Sequence, residues 1–377
     1  MNQIGVIQIL RAIAALMVVV SHSQNDALTQ AMRTGLDFTR LTVFPWDTGV
    51  DLFFVISGFI MVYASQRLFA TPGAGGTFIL RRCIRIVPLY WLITAISLVI
   101  LAYVAWLGKR SFPSFFEIAS SLGFVPFARP EDGQPRPLVA QGWTLNYEMF
   151  FYFVFALFIG FRRNVAVTGV VLALALAVTF GMIVRPSVTV LAYWSDPIVL
   201  EFVLGMLTAS IWLRGFRLKR ALVLPVILIA MAVLALDLDG MTQTGPIAPD
   251  LNGFGRLLAY GLPMAVLFGA IVLAEPVFKT QSRLSSFFAL VGDASYALYL
   301  FHPLVIIFAR KAYLALGFEK AAGFWPLIVA DLPLAVALAL VVHMMIEKPV
   351  TAALQAWLRD KRPKADLKPQ VIEVRPG

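Results

Sequence analysis

The sequence predicts an all-α, polytopic integral membrane protein with about ten transmembrane helices, and three observations lead to that fold class. First, 60% of the 377 residues are hydrophobic and only 14% are charged, whereas soluble domains carry about 25% charged residues. Second, the mean hydropathy is +0.82. Third, a series of apolar segments is long enough to cross a bilayer as helices.

These apolar segments follow one another along almost the whole chain. Several contain proline or glycine, which membrane helices tolerate where neighbouring helices satisfy the freed backbone groups. The first segment lacks the basic flank and the cleavage site of a signal peptide, so we interpret it as a retained helix. The segments cover residues 4–22, 48–66, 84–107, 143–160, 164–184, 194–213, 220–238, 255–275, 287–309 and 325–346.

The distribution of basic residues predicts the orientation of these helices. Ten spans place both termini on one side, and the loops on that side carry more Lys and Arg than the opposite loops, as cytoplasmic loops do. We therefore expect both termini in the cytoplasm. The net charge of +10 then reflects basic loops and not nucleic-acid binding. The single cysteine, Cys83, excludes an internal disulfide and a cysteine-rich metal site, and we expect no metal.

The domain organisation is simple. We predict one membrane domain over residues 1–350 and a basic, disordered cytoplasmic tail over residues 351–377. The longest loop on the outer side, residues 108–142, is either a piece at the membrane surface that covers a cavity or an unstructured connector.

The first segment contains two ionisable residues, Arg11 and His22. Eleven residues make about three helical turns, so both side chains lie on one helix face, roughly 16 Å apart. An ionisable group inside a bilayer costs at least about 2.5 kcal/mol and therefore usually marks function. The alternative is that the arginine reaches one membrane surface and the histidine sits at the other.

Other titratable residues are expected at the depth of His22. The predicted helix directions place Asp51, Glu148 and His302 in the outer half of the membrane. Four such groups on four helices predict a shared cavity. The structural alternatives are a helix cap for Asp51 and, for His302, a hydrogen bond to a carbonyl freed by Pro303.

The inner side carries a different chemistry. Arg81, Arg82 and Arg85 open the third helix, and their spacing of three and four residues projects at least two guanidinium groups together. Such a pair suits a phosphate-rich ligand from the cytoplasm. Ordinary positive flanking of a membrane helix explains Arg81 and Arg82 equally well, but it explains the deeper Arg85 less well.

Taken in order, these motifs resemble the bacterial acyltransferase-3 family of membrane-bound O-acyltransferases. The resemblance covers nearly the whole chain. The motifs that carry it are Arg11 with His22, Gly49-Val50-Asp51-Leu52-Phe53-Phe54-Val55-Ile56-Ser57-Gly58-Phe59, Arg81-Arg82 with Arg85, Trp143-Thr144-Leu145 with Glu148, and Ser295-Tyr296-Ala297-Leu298-Tyr299-Leu300-Phe301-His302-Pro303.

The resemblance implies transfer of an acyl group, most commonly acetyl from cytoplasmic acetyl-CoA, to a hydroxyl of a glycan outside the cell or linked to a membrane lipid. The compact chain most resembles the members that O-acetylate exopolysaccharides during polysaccharide biosynthesis. It therefore implies a multi-pass protein of the bacterial inner membrane whose partners are acetyl-CoA, membrane lipids and a glycan or lipid-linked oligosaccharide. A proton-coupled transporter or a lipid-linked glycan flippase is the alternative, because these proteins also bury ionisable residues.

The resemblance also implies roles for individual residues. Arg11 and His22 match the family's Arg-plus-His motif, and Arg81, Arg82 and Arg85 match its basic cluster, which is implicated in binding the acyl donor. Val87 stands where many members have a tyrosine before proline.

The chemistry follows from these matches. We expect His22 to act as the general base, with Glu148 or Asp51 orienting its ring. Arg11 would line the donor channel or offset charge on the thioester oxygen. An acetyl-histidine relay is the open alternative to direct transfer. We assign contacts with the acceptor to His302, Trp143 and Tyr147.

Overall fold

The computed structural model describes residues 3–130, 133–238, 240, 254–274 and 282–360, and these residues form helices and loops without a β-strand. This confirms the all-α prediction for that part of the chain. The helices are α1 (Gln3–Thr34), α2 (Gly49–Ala64), α3 (Ala74–Trp106), α4 (Phe115–Leu122), α5 (Trp143–Phe158), α6 (Arg163–Val184), α7 (Thr189–Trp194), α8 (Leu200–Leu213), α9 (Arg220–Ala235), α10 (Phe254–Val272), α11 (Arg283–Asp293), α12 (Ser295–Ala315), α13 (Phe318–Ala322), α14 (Trp325–Val342) and α15 (Lys348–Asp360).

Seven helical stretches of the described chain are long and apolar enough to cross a membrane. They are Gly5–Thr34, Trp46–Ala64, Ala74–Trp106, Arg163–Val184, Phe254–Val272, Ser295–Ala315 and Trp325–Leu358. Two further apolar helices are shorter, and α5 has 16 residues. Each predicted apolar segment overlaps a described helix, while the number of spans and the side of the termini stay predictions.

The first helix is longer than its apolar segment. The hydropathy pattern predicts an end at residue 22, but α1 runs to Thr34. Residues 23–34 contain neither proline nor glycine, so helical hydrogen bonding continues after the apolar composition has ended. The helix ends before Gly35, whose φ of +70° suits the left-handed turn that closes many helices. Three polar turns of α1 therefore extend beyond His22.

Glycines allow α1 and α2 to approach their neighbours closely. A Cβ on Gly58 of α2 would lie 2.0 Å from the Phe202 carbonyl oxygen of α8. A Cβ on Gly205 of α8 would lie 2.0 Å from the Val55 carbonyl oxygen of α2. A Cβ on Gly292 of α11 would lie 1.9 Å from the Gln8 oxygen of α1. Small residues at helix contacts are typical of membrane bundles, where close packing replaces the hydrophobic drive. These contacts fix the register of the helices that carry the site.

The loop over residues 108–142 contains α4, which begins with a capping box. Ser114 accepts a hydrogen bond from the Glu117 amide, and the Glu117 carboxylate accepts one from the Ser114 amide. The Ser121 hydroxyl at the other end of α4 lies 2.9 Å from the Tyr90 hydroxyl of α3. Over its described residues this loop is therefore not an unstructured connector.

The C-terminal part of the chain differs from the sequence prediction at one point. Residues 351–360, which the composition assigned to a disordered tail, belong to α15. These ten residues contain no proline, and Pro349 lies in the first turn of α15, where proline fits a helix. The rest of that tail, residues 361–377, lies outside the described residues.

Candidate active site

A cavity between the helices brings together side chains from α1, α2, α3, α5 and α12. Its empty space is about 750 Å³, including the mouth, which is within the usual range for a pocket that binds a small molecule. The polar side chains in its wall are Arg11, Ser57, Arg82, Arg85, Thr144, Glu148, Tyr152, Ser295, Tyr296 and Tyr299. Three of the four arginines singled out in the sequence therefore share one cavity.

The guanidinium groups of this cavity are held in different ways. Arg11 is only 8% exposed and donates to the Gln8 carboxamide oxygen at 3.2 Å; Gln8 in turn donates to Asp293. Arg82 lies over the Phe78 and Tyr152 rings, 5.4 and 5.8 Å from their centroids. Its Nε is buried and has no hydrogen-bond partner among the described residues. The cavity therefore holds cationic groups with capacity left for an anionic ligand.

Arg81 is placed differently from its neighbours. It is exposed and does not line the cavity, whereas Arg82 and Arg85 are half-buried and do. The prediction that at least two of these cations project together fits the geometry for Arg82 and Arg85. For Arg81, ordinary flanking of a membrane helix accounts for its position.

Glu148 lies beside the arginines. Its Oε1 accepts a hydrogen bond from the Ser57 hydroxyl at 2.9 Å and another from the Tyr152 hydroxyl. Tyr152 follows Glu148 by one turn of α5, so both face Ser57 of α2. The prediction that Glu148 orients the His22 ring is therefore wrong for this structure, because the carboxylate binds Ser57 and Tyr152 and interacts electrostatically with Arg82.

His22 pairs instead with His302. His22 Nδ1 lies 3.2 Å from His302 Nε2, and the two rings meet edge to face. His302 is only 1% exposed, and its Nδ1 lies 3.1 Å from the Leu298 carbonyl oxygen. A carbonyl oxygen only accepts, so a neutral His302 carries its proton on Nδ1 and accepts at Nε2. His22 must then carry its proton on Nδ1, which leaves the lone pair of His22 Nε2 free.

Tyr299 separates the arginine cavity from the histidine pair. It lines the cavity, and its ring centroid is 6.3 Å from that of His302, one turn further along α12. Its hydroxyl donates to the Gln141 carbonyl oxygen at 2.8 Å, and its ring meets Phe53 edge to face at 5.9 Å. The cavity thus ends next to the two histidines, and the Tyr299 ring stands between the cavity and His302.

Asp51 belongs to a separate buried cluster. Both of its carboxylate oxygens accept from Arg256 of α10, at 2.8 and 3.1 Å. Glu201 of α8 is fully buried beside this pair and interacts electrostatically with both partners. The sequence interpretation missed Arg256. This arginine stands at the edge of its predicted apolar segment, where a basic residue is expected to belong to the loop. The prediction that Asp51 orients His22 is therefore wrong for this geometry.

Trp143 and Tyr147 pack around the Asp51 cluster. The Trp143 ring lies 5.9 Å from the Arg256 guanidinium carbon, and Tyr147 stacks on Tyr193 with ring centroids 4.1 Å apart. Neither residue lines the arginine cavity. Their assignment to acceptor binding stays a prediction.

The carboxylate that the structure does place near His22 is Asp47. It lies in the 3₁₀ turn Trp46–Thr48 just before α2, accepts a hydrogen bond from Ser21, and interacts electrostatically with His22. Its sequence context, a polar loop residue after Pro45 and Trp46, contains no signal of this role. Only the folding of that loop onto α1 brings it there.

Comparison with known proteins gives a consistent result. A family profile described as an acyltransferase domain matches residues 4–344. The chain is 34% identical over 305 residues to the exopolysaccharide production protein ExoZ of Rhizobium meliloti (strain 1021), covering 80% of this chain and 88% of ExoZ. It is 25% identical over 371 residues to the acyltransferase MdmB of Streptomyces mycarofaciens, covering 90% and 89% of the two chains. No solved structure matches significantly.

Proposed function

This chain belongs to the acyltransferase-3 family, and from that premise we propose that it transfers an acyl group from cytoplasmic acyl-CoA to a hydroxyl of an exopolysaccharide or another cell-surface glycan. Acetyl is the acyl group that we propose. The similarity to ExoZ, an exopolysaccharide production protein, supports the choice of acceptor. The apolar helices support a multi-pass protein, which we place in the bacterial inner membrane.

One observation carries the proposal: a cavity lined by three arginines ends beside a pair of histidines. Coenzyme A carries several phosphate groups, and guanidinium groups are the side chains best suited to bind them. Arg82 and Arg85 would hold the phosphates near the predicted cytoplasmic mouth. The slender pantetheine arm would then extend past Arg11 toward Tyr299, which brings the thioester to the level of the histidines.

The chemical step uses the free nitrogen of His22. Nε2 removes the proton from the acceptor hydroxyl while the hydroxyl oxygen attacks the thioester carbonyl carbon. The new C–O bond forms, the C–S bond breaks, and the departing thiolate of coenzyme A takes up the proton from His22. The products are an O-acylated glycan and free coenzyme A, so atoms and charge balance.

His302 acts on this step as a positioning residue. By accepting the proton of His22 Nδ1, it holds the ring in the tautomer whose Nε2 can act as a base. It also disperses the positive charge that His22 acquires, as a carboxylate does in other catalytic triads. Arg11, three turns of α1 away from His22 on the same face, would line the donor channel that the pantetheine arm passes.

Direct transfer and an acyl-histidine relay differ in one observable. In the relay, His22 Nε2 would itself attack the thioester and hold the acyl group before the acceptor arrives. Incubation of the purified protein with radiolabelled acetyl-CoA and no acceptor, followed by rapid denaturation, would then leave label on the chain. Direct transfer, which we propose, leaves none.

The activity itself is tested with the purified protein in lipid nanodiscs. We expect radiolabelled acetyl-CoA and a chemically de-O-acetylated exopolysaccharide to yield labelled glycan and an equal amount of free coenzyme A. A transporter or flippase would release no coenzyme A under these conditions, so that result would contradict the proposal.

A further inference from the structure

A second, smaller pocket lies beyond the histidine pair on α1. The segment between α1 and α2 folds back onto the polar turns of α1, and the two together line this pocket. Three contacts hold the segment there: the Leu41 amide donates to the Gln24 side chain, Arg40 donates to the Asn25 carboxamide oxygen at 2.7 Å, and Ser21 donates to Asp47. The pocket is therefore built by tertiary hydrogen bonds and is more than a gap between loops.

The wall of this pocket combines a flat aromatic face with planar polar groups. Trp46 lines it, and its indole nitrogen donates to the Leu41 carbonyl oxygen at 3.0 Å, which fixes the ring. Phe44 meets Trp46 edge to face at 5.5 Å. The polar side chains in the wall are Ser21, Gln24, Asn25, Arg40, Thr42 and Asp47.

This combination suits a sugar. A sugar ring has an apolar C–H face that can lie on an indole, and hydroxyls around its edge that both donate and accept hydrogen bonds. Carboxamides and carboxylates supply the matching partners. The arginine cavity has a different composition, because its polar wall includes three cations and no carboxamide.

The pocket is also next to the proposed base. Ser21 directly precedes His22, and Asn25 follows it by three residues, so Asn25 and His22 are neighbours on one helix face. Asp47, in the pocket wall, interacts electrostatically with His22. Along α1 the histidine therefore lies between Arg11 of the first cavity and Asn25 of the second.

We propose that the pocket between α1 and the Phe44–Trp46 segment binds one sugar unit of the acceptor glycan and presents its hydroxyl to His22 Nε2. The proposal rests on the proposed acyl transfer and adds the position of the acceptor. Trp46 stacks on the sugar ring, and the carboxamide of Asn25 and the carboxylate of Asp47 bind hydroxyls that do not react. Acyl donor and acceptor thus reach His22 from opposite directions.

The test compares Trp46→Ala and Asn25→Ala with Thr29→Ala as the matched control. Thr29 lies on the same polar extension of α1 and is exposed, and among the described residues its hydroxyl donates only to a carbonyl oxygen of its own helix. The acceptor probe is a set of oligosaccharides from partial hydrolysis of the de-O-acetylated exopolysaccharide. We expect KM for these oligosaccharides to rise at least tenfold in the two pocket variants, with KM for acetyl-CoA unchanged and the control within twofold of wild type.

A second variant allows the pocket to be blocked chemically in protein that has already folded. Thr42→Cys places a thiol in the pocket wall, and a membrane-impermeant, charged thiol reagent then fills it. We expect transfer to glycan to stop while acetyl-CoA binding persists, with reagent-treated wild type, which contains Cys83, as the control. Saturating oligosaccharide should slow the labelling.

Each result separates the two proposals. If the wild-type protein transfers no acetyl group, the proposed function fails. If wild type transfers acetyl but Trp46→Ala and labelled Thr42→Cys retain the wild-type KM for the oligosaccharides, the pocket assignment is overturned and the proposed function stands.

Discussion

His22 Nδ1 lies 3.2 Å from His302 Nε2, although 280 residues separate the two histidines along the chain. The Leu298 carbonyl oxygen, 3.1 Å from His302 Nδ1, sets the direction of both hydrogen bonds. The Nδ1–H group of His22 therefore donates to Nε2 of His302, and the Nδ1–H group of His302 donates to the Leu298 carbonyl oxygen. A backbone carbonyl of α12 thereby determines which nitrogen of a histidine on α1 can act as a base.

The role of His302 predicts a graded response to substitution. His302→Ala removes the acceptor for the His22 Nδ1 proton, so we expect kcat to fall by about 10², within the range that general-base catalysis contributes. His302→Gln retains an oxygen that can accept this proton, so it should recover most of the rate. KM for acetyl-CoA should change little in either variant. Steady-state kinetics in nanodiscs measures both constants, and equal losses in the two variants would contradict the positioning role.

The arginine cavity predicts where the acyl donor binds. We expect the double variant Arg82→Ala, Arg85→Ala to weaken acetyl-CoA binding roughly 10²-fold, since a hydrogen bond to a charged group contributes about 1.5–3 kcal/mol. Arg81→Ala is the control, because Arg81 is exposed and outside the cavity. Isothermal titration calorimetry with acetyl-CoA gives both affinities. If Arg81→Ala weakens binding as much as the double variant, the donor does not occupy this cavity.

The Asp51–Arg256 pair predicts a loss of stability and not of chemistry. Asp51→Asn breaks an ion pair whose carboxylate is fully buried and whose guanidinium is 16% exposed. Loss of one partner of a buried pair costs about 3–5 kcal/mol, whereas Asp37→Asn changes an exposed carboxylate and should cost almost nothing. Thermal unfolding in detergent compares the two midpoints. If Asp51→Asn has the unfolding midpoint of wild type but transfers no acetyl group, Asp51 takes part in the chemistry and this prediction is contradicted.

Close packing of α2 on α8 predicts a marked difference between two glycine substitutions. A Cβ on Gly58 would meet the Phe202 carbonyl oxygen at 2.0 Å, whereas one on Gly76 of α3 meets nothing within 4 Å. Overpacking costs about 1–3 kcal/mol, so Gly58→Ala should lower the free energy of unfolding. Gly76→Ala should raise it slightly or leave it unchanged. Similar midpoints for the two variants would show that the α2–α8 contact is not tight.

The elements that the sequence predicts well are those with a local signal. Apolar length identifies the helices. Charged residues inside apolar segments identify Arg11, Arg85 and Glu148, and the spacing of the basic cluster identifies Arg82; the structure does bring these four residues into one cavity. The end of α1 has no such signal in hydropathy, because helical hydrogen bonding continues through polar residues until Gly35. That extension is what builds the second pocket.

Partners that depend on the rotation of one helix against another have no local signal. Asp51 pairs with Arg256, and Glu148 with Ser57 and Tyr152, although depth alone placed both carboxylates near His22. Helix depth follows from counting residues, whereas the direction of a side chain around the helix is set by packing. The same reason hides the contact of Asp47 with Ser21, which requires a loop to fold back.

The role of His22 as the general base is tested by the turnover of His22→Ala with both substrates saturating, together with the affinity of this variant for acetyl-CoA. We predict that transfer of labelled acetyl to the glycan falls at least about 10²-fold, because the general base is lost. The dissociation constant of acetyl-CoA should stay within twofold of wild type, since the arginine cavity is intact. Acetyl transfer at a rate within a few-fold of wild type would contradict the assignment of His22 as the base.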